Sequence, residues 1–146
     1  MAESTELFDL KNYFFIGNYQ GAVNEGMSIN AKTLGEPDKI AREVYIYRSY
    51  IAQGNHKFVL NEISDSANTS LRAVKLLASY YATENKEVIL STLKEWFADS
   101  ATANNSVVQI IGATIYYLEE NFEEALRCVY HNGTLEGYFI YFICYL

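Results

Sequence analysis

The residues of this chain that could do acid–base chemistry are two pairs of glutamates close to a predicted helical turn. Glu119-Glu120 and Glu123-Glu124 could supply a general acid and a general base, or hold a metal ion. Carboxylates at the start of a helix are also favoured by the helix dipole, without any chemistry. Because the second pair follows a turn and opens a predicted helix, we interpret these residues as a solvated turn and a helix N-terminus.

The other side chains that could act as nucleophiles or metal ligands are scattered along the chain. His56 falls in a predicted turn and His131 in a connector, where surface histidines are the simpler interpretation. Cys128 and Cys144 lack metal-ligand spacing and form no CxxC motif. The sequence also lacks the GxSxG motif and both common glycine-rich phosphate loops. We therefore predict no catalytic residues, no metal and no cofactor, and expect a protein that is not an enzyme.

The composition favours a globular protein that contacts other proteins. Half of the 146 residues are hydrophobic and 20% are charged, which allows a sizeable core. The net charge of −7 argues against binding nucleic acid or anionic lipid directly. The acidic start, Met1 to Glu6, is unlike a signal peptide, and no stretch reaches the ~20 apolar residues of a membrane span. We expect a cytosolic chain whose association with a membrane is indirect.

Four times, a tyrosine is followed five residues later by an asparagine and, after four more, by a small or aliphatic residue. The asparagines lie 30 to 37 residues apart, which is typical of stacked helical hairpins. A small residue opposite a bulky one lets two helices approach to ~8–10 Å. Asparagine can cap its own turn and tolerates a positive φ. The four triplets are Tyr13–Asn18–Ala22, Tyr50–Asn55–Val59, Tyr80–Asn85–Ile89 and Tyr116–Asn121–Ala125.

Apolar residues at helical spacing flank these turns. The clearest stripe belongs to a helix predicted from Asp38 or Lys39 to Ala52, just after the lone Pro37. Residues 65–70 and 99–106 are predicted polar connectors, and the secondary structure of 138–145 stays open. The turns at 13–22 and 116–125 resemble those of the tetratricopeptide repeat. We predict an all-α, right-handed solenoid of about four such hairpins, with residues 1–146 as one domain.

Longer strings of the sequence resemble the amino-terminal half of the epsilon subunit of coatomer, the coat of COPI vesicles. The resemblance runs from about Glu6 to about Glu136. It implies a structural coat subunit in retrograde Golgi-to-ER and intra-Golgi transport. It also implies that the repeats bind and stabilise the alpha subunit, and that the assembled coat attaches the chain to the cytosolic face of the Golgi membrane. The strings are 6–12, 15–20, 43–53, 59–63 and 71–75.

Two other classes of function remain open from the residues alone. One is a generic tetratricopeptide-repeat adaptor that binds a peptide from a chaperone or another complex. The other is a helical enzyme, which would need a polar cleft with strongly perturbed pKa values.

The last ten residues, Gly137 to Leu146, carry no charge and depart from the family's pattern. We expect the repeat domain to be incomplete at this end, with 137–146 as an atypical apolar tail from a truncated gene model or splice variant. Repeat arrays need a polar outer face on their last repeat for solubility. We therefore expect weaker partner binding and a tendency to aggregate.

Candidate partner-binding residues follow from aligning the repeats. Adjacent residues on a helix point about 100° apart. One ring of Tyr80-Tyr81 and one of Tyr116-Tyr117 can therefore pack inside while the other faces the concave side. Packing between helices is the alternative for the aromatic candidates, and a solvated helix face for the two basic ones. The candidates are Lys11, Phe14, Arg48, Ile51, Tyr81 and Tyr117.

Overall fold

The computed structural model describes residues 5–146, and the regular structure of that range is helical. Residues 1–4, which include most of the acidic start, lie outside the described residues. Single 3-10 turns at Thr5–Leu7 and Ala31–Thr33 precede the first and third α-helices. The prediction of an all-α fold is confirmed over the described range. The helices are α1 (Phe8–Phe15), α2 (Tyr19–Ser28), α3 (Glu36–Ala52), α4 (His56–Glu62), α5 (Thr69–Ala82), α6 (Lys86–Ala98), α7 (Ser100–Ala103), α8 (Ser106–Leu118), α9 (Phe122–Val129) and α10 (Leu135–Tyr145).

Three of the four tyrosine–asparagine turns share one pattern of backbone hydrogen bonds. The N–H of Asn18, Asn55 and Asn121 each donates to the carbonyl of the tyrosine five residues earlier, at 2.9 Å. The carbonyl of the same asparagine then accepts the N–H of the small residue four positions later, at 2.9 to 3.3 Å. The first bond satisfies a free carbonyl at the end of one helix, and the second begins the next helix. Each triplet is therefore a chain of hydrogen bonds through a turn between two helices.

The residue before the asparagine, and not the asparagine itself, takes the positive φ at these turns. Gly17, Gly54 and Glu120 have φ of 81°, 83° and 58°. The asparagines do not use their tolerance of this conformation, since Asn18 has a φ of −84° and Asn121 a φ of −92°. Both of these asparagine side chains instead accept a backbone N–H three residues later and cap the return helix.

The third turn, between α5 and α6, is held by side chains. The N–H of Asn85 donates to Oγ1 of Thr83 at 3.2 Å. The ammonium group of Lys86 donates to the carbonyl of Tyr80 and lies 3.9 Å from the centre of its ring. The hydroxyl of Tyr80 donates to Oε1 of Glu119 at 2.6 Å. These contacts join the α5–α6 turn to the residue that follows α8.

The small or aliphatic member of each triplet is buried in the core, as its predicted role opposite a bulky residue requires. The tyrosines differ along the chain: Tyr80 and Tyr116 are buried, whereas Tyr13 is 37% exposed. Tyr13 lies on α1, in the first helix pair, and the small core beneath that helix is built from other residues. They are Leu7, Leu10, Ala22 and Leu34.

The end of the chain is also helical, which resolves the open assignment of 138–145. The α10 helix packs against α8 and α9, and Thr134 caps its start by accepting the N–H of Gly137 at 3.1 Å. The connector before it is fixed by the buried Asn132, whose amide donates to Oε1 of Gln109 at 2.9 Å. The boundaries differ from prediction at three places: α3 begins earlier, at Glu36, α5 begins inside the predicted connector 65–70, at Thr69, and the connector 99–106 contains α7.

Candidate partner-binding surface

Four of the six predicted site residues line one concavity of about 400 Å³ where α1, α3 and α5 meet. Phe14 reaches it from the last turn of α1, and Tyr81 from the last turn of α5. Arg48 and Ile51 share one face of α3 because they are three residues apart. Ile51 itself is buried in the main core, so it contributes packing more than accessible surface. The structure thus brings Phe14, Arg48, Ile51 and Tyr81 together.

Arg48 is not on a solvated face, and that alternative is wrong. Its guanidinium forms two hydrogen bonds to the carboxylate of Glu136, which lies 88 residues later on α10; Nη1 donates to Oε2 at 3.0 Å. The two side chains are only 12% and 15% exposed. The guanidinium carbon also lies 4.7 Å from the centre of the Phe14 ring. Arg48 therefore links α1, α3 and α10.

The charge of Arg48 is secured by the same partner. Burial alone would lower the pKa of Arg48, but the hydrogen bonds and negative charge of Glu136 outweigh it and raise the pKa above its ordinary value. A planar guanidinium with two parallel bonds to a carboxylate is a strong and directional contact.

A second concavity, of about 770 Å³, lies between the first helix pair and α10. We call it the aromatic cleft. One wall comes from α1 and α2, the other from α10, and Arg48 with Glu136 joins the two. Phe14 and Arg48 also line the first concavity, so the two spaces are neighbours. The walls are formed by Phe14, Phe15 and Tyr19 on one side and by Leu135, Tyr138, Phe139 and Phe142 on the other.

The exposed faces of α10 give this cleft its apolar character. Leu135, Tyr138, Phe139 and Phe142 all line it and are all exposed. Aromatic side chains supply a large contact area, and exposed apolar patches of this kind commonly mark sites that bind other proteins. The arrangement is suited to holding an apolar segment of another molecule.

His56 differs from the surface histidine that we expected. It begins α4, lines the first concavity and stacks on Tyr81 with ring centres 5.1 Å apart. Its Nδ1 atom is buried without a hydrogen-bond partner. The ring therefore packs face to face against Tyr81 beside the first concavity.

The remaining two predicted residues, Lys11 and Tyr117, line neither the first concavity nor the aromatic cleft. Lys11 lines a further concavity of about 410 Å³, which borders the aromatic cleft because Arg48 and Glu136 line both. The Nζ atom of Lys11 lies 6.0 Å from the centre of the Tyr45 ring. Tyr117 packs against Phe122, with ring centres 5.6 Å apart. It is 38% exposed while its neighbour Tyr116 is 4% exposed, and Tyr81 and Tyr80 show the same contrast. The predicted division of each tyrosine pair into one buried and one exposed ring is confirmed.

Sequence reasoning missed the α10 half of the site, including Glu136. The signal that could have found it is a lone carboxylate at the start of a charge-free helix, opposite an arginine in the middle of α3. That signal is weak, because the two side chains are 88 residues apart in the sequence and meet only through the packing of the helices between them.

Two groups with strongly raised pKa values, Cys128 and Tyr80, lie apart from the aromatic cleft. Burial, with a contribution from Glu124, raises the pKa of the Cys128 thiol to about 12. Burial and the hydrogen bond to Glu119 raise the pKa of Tyr80 to about 12. Both groups are held in their neutral forms, the opposite of an activated nucleophile. Over residues 5–146 no group of three potential metal ligands occurs, and no helix is long and apolar enough to cross a bilayer.

These features define a class: an all-helical protein with an exposed apolar cleft between its first two helices and α10. Comparison with protein-family models matches residues 3–146 to the family described as Coatomer epsilon subunit. The chain belongs to that family. The match includes residues 137–146, which we had expected to depart from the family's pattern.

Curated relatives agree with this assignment. The chain is 41% identical over 137 residues to coatomer subunit epsilon-1 of Arabidopsis thaliana, covering 93% of this chain and 46% of the relative. It is 36% identical to coatomer subunit epsilon of Dictyostelium discoideum, covering 90% and 46% of the two chains. For the Caenorhabditis elegans protein of that name the identity is 33%, with 90% and 45% covered. The chain therefore spans a little under half the length of these relatives.

Proposed function

We propose that this chain is a structural part of the COPI vesicle coat that binds and stabilises the alpha subunit of coatomer. The observation that carries the proposal is the family match over residues 3–146. The aromatic cleft supports it by supplying an apolar surface of the kind that protein partners bury. The proposed setting is retrograde Golgi-to-ER and intra-Golgi transport, on the cytosolic face of the Golgi membrane.

The proposed attachment to the membrane is indirect, through the alpha subunit and the rest of the coat. The chain's net charge of −7 disfavours direct binding to anionic lipid. The same charge favours a partner with basic residues, because opposite charges speed encounter between proteins.

The proposal is tested by coexpressing the chain with the carboxy-terminal region of the alpha subunit and measuring copurification and the dissociation constant. We expect a stable complex, and Phe139→Ala to weaken it about tenfold, because a few buried aromatic residues usually dominate an interface. Phe139 is exposed in the free chain, so its truncation should leave the fold intact.

Phe58→Ala is the matched control. Phe58 is also an exposed phenylalanine, but it packs on Tyr50 and does not line the cleft. We expect its variant to bind like the wild type. Failure of the wild-type chain to bind the alpha subunit, together with binding of an unrelated chaperone peptide, would favour the adaptor function instead.

A further inference from the structure

The two walls of the aromatic cleft come from opposite ends of the chain. One wall is carried by α1 and α2, and the other by α10, which packs on α8 and α9. The distance between these walls therefore depends on how all the helices between α2 and α10 pack on one another. A contact that joins the walls directly can set that spacing.

The carboxylate of Glu136 is presented from a fixed base. It lies in the first turn of α10, where a negative charge is favoured by the helix dipole. Thr134 caps this helix, and the N–H of Thr134 donates in turn to the buried side chain of Asn132 at 3.0 Å. The position of the carboxylate is thus tied to the position of the α10 backbone.

The other half of the contact is equally constrained. The guanidinium of Arg48 stacks on Phe14 and extends from the middle of α3. Two parallel hydrogen bonds require the guanidinium and the carboxylate to be coplanar and at one separation. A shift of α10 away from α3 would break both bonds together.

The cleft is open while this ion pair is formed. Leu135 and Phe139 on the α10 wall stay exposed, and a space of about 770 Å³ remains between the walls. The pair therefore does not hold the cleft shut. We propose that Glu136, acting through Arg48, is a positioning residue that fixes the width of the aromatic cleft and so prepares it for an apolar segment of its partner. This inference rests on the proposed function for the identity of the partner.

The first test measures cleft width in the free protein. Spin labels at Asp9→Cys on α1 and Tyr145→Cys on α10, in a Cys144→Ser background, report the separation of the walls by pulsed electron resonance. Cys128 should not react, because it is buried and its pKa is about 12. We expect Glu136→Gln to shift the distance distribution to longer values and to broaden it. Unchanged distances would overturn the proposal.

The second test measures binding of the purified carboxy-terminal region of the alpha subunit. We expect Glu136→Gln to weaken binding about tenfold, because a cleft that is no longer preformed must be ordered on binding. Tighter binding would identify the pair as an inhibitory latch and overturn the proposal, as would unchanged binding. Glu123→Gln is the matched control, since it breaks an exposed glutamate–arginine pair on α9, and should alter neither readout.

Two further comparisons separate the possible failures. If the wild-type chain does not bind the alpha subunit, the proposed function fails, while the distance measurement still decides whether Glu136 sets the width of the cleft. If Glu136→Gln loses helicity by circular dichroism, Arg48→Lys replaces it. That variant keeps a positive charge but removes the planar fork, and we expect an intermediate shift in distance.

Discussion

The hydroxyl of Tyr80, near the end of α5, donates a 2.6 Å hydrogen bond to Oε1 of Glu119, directly after α8. The bond crosses 39 residues and joins the ends of two neighbouring helices. Burial first, and then this hydrogen bond and the charge of Glu119, raise the pKa of Tyr80 to about 12. The phenol is therefore protonated, and able to donate, across the physiological range.

Removal of this hydroxyl should destabilise the fold without disturbing its packing. We expect Tyr80→Phe to lower the free energy of unfolding by about 1 to 1.5 kcal/mol at pH 7, the usual value for one intramolecular hydrogen bond. Urea denaturation followed by circular dichroism measures the change. Tyr130→Phe, at an exposed tyrosine, should have almost no effect; equal losses in the two variants would contradict the role of the Tyr80–Glu119 bond.

The same bond should make stability depend on pH in the alkaline range. In the unfolded chain Tyr80 loses its proton near its ordinary pKa of 10.0, whereas in the folded chain it keeps the proton up to about 12. Between these values the folded state binds more protons, so stability falls as pH rises. Tyr80→Phe lacks this contribution, so the stability advantage of the wild type should shrink as the pH rises above 9 and be lost before pH 12. Urea denaturation measures both proteins across that pH range. A constant difference in their free energies of unfolding would show that the pKa of Tyr80 is not raised.

Substitution of the three residues with positive φ should change stability in opposite directions: replacing either glycine should destabilise the fold, and introducing glycine at Glu120 should stabilise it. A side chain placed at Gly17 or Gly54 meets nothing within 4 Å, so the cost of alanine there is conformational, about 1–2 kcal/mol. Glu120 already bears that strain at a φ of 58°, and Glu120→Gly should stabilise the chain by up to about 1 kcal/mol. Gly133→Ala is the control, because Gly133 has open space and an ordinary φ. Thermal unfolding should show that the stability of Gly133→Ala equals that of the wild type or exceeds it by up to about 1 kcal/mol.

The features that were predictable from sequence are those set by neighbouring residues. The tyrosine–asparagine spacing located the turns, because a helix end and the next helix start are made within ten residues. The angle of about 100° between adjacent residues on a helix correctly predicted that only one ring of Tyr80 and Tyr81 is buried, since this inference needs only the geometry of one helix. Which turn residue takes the positive φ was left open, because glycine and asparagine both tolerate that conformation and only the full hydrogen-bond pattern separates them.

The features that could not be predicted depend on distant contacts. The pairing of Arg48 with Glu136 depends on the relative orientation of α3 and α10. That orientation is the sum of small rotations between many successive helices. The helical state of 138–145 also follows from tertiary packing, because short runs rich in β-formers carry an ambiguous local signal. Of the residues that line the aromatic cleft, the sequence analysis therefore named Phe14 and Arg48 as candidates and none on the α10 wall.

Asn132 should control how firmly α10 is attached. Its buried amide donates to Gln109 and to the carbonyl of Ser106, and its oxygen accepts the N–H of Thr134. Asn132→Ala would leave buried polar groups without partners and should cost about 2–4 kcal/mol. Hydrogen exchange followed by mass spectrometry should show the loss of protection first in α10. Asn24→Ala, at an exposed asparagine on α2, is the control, and equal protection of α10 in both variants would contradict this role.

The small residue of the fourth triplet should tolerate enlargement poorly. Ala125 is fully buried on α9, beneath the end of α8, so extra atoms at this position must push the two helices apart. We expect Ala125→Leu to lower the free energy of unfolding by about 1–3 kcal/mol, the usual cost of overpacking a core. Ile89→Leu, at the equivalent buried position of the third triplet, conserves volume and should cost less than about 1.5 kcal/mol. Urea denaturation measures the free energy of unfolding of both variants. A larger decrease for Ile89→Leu than for Ala125→Leu would show that the triplet does not require a small residue where α8 meets α9.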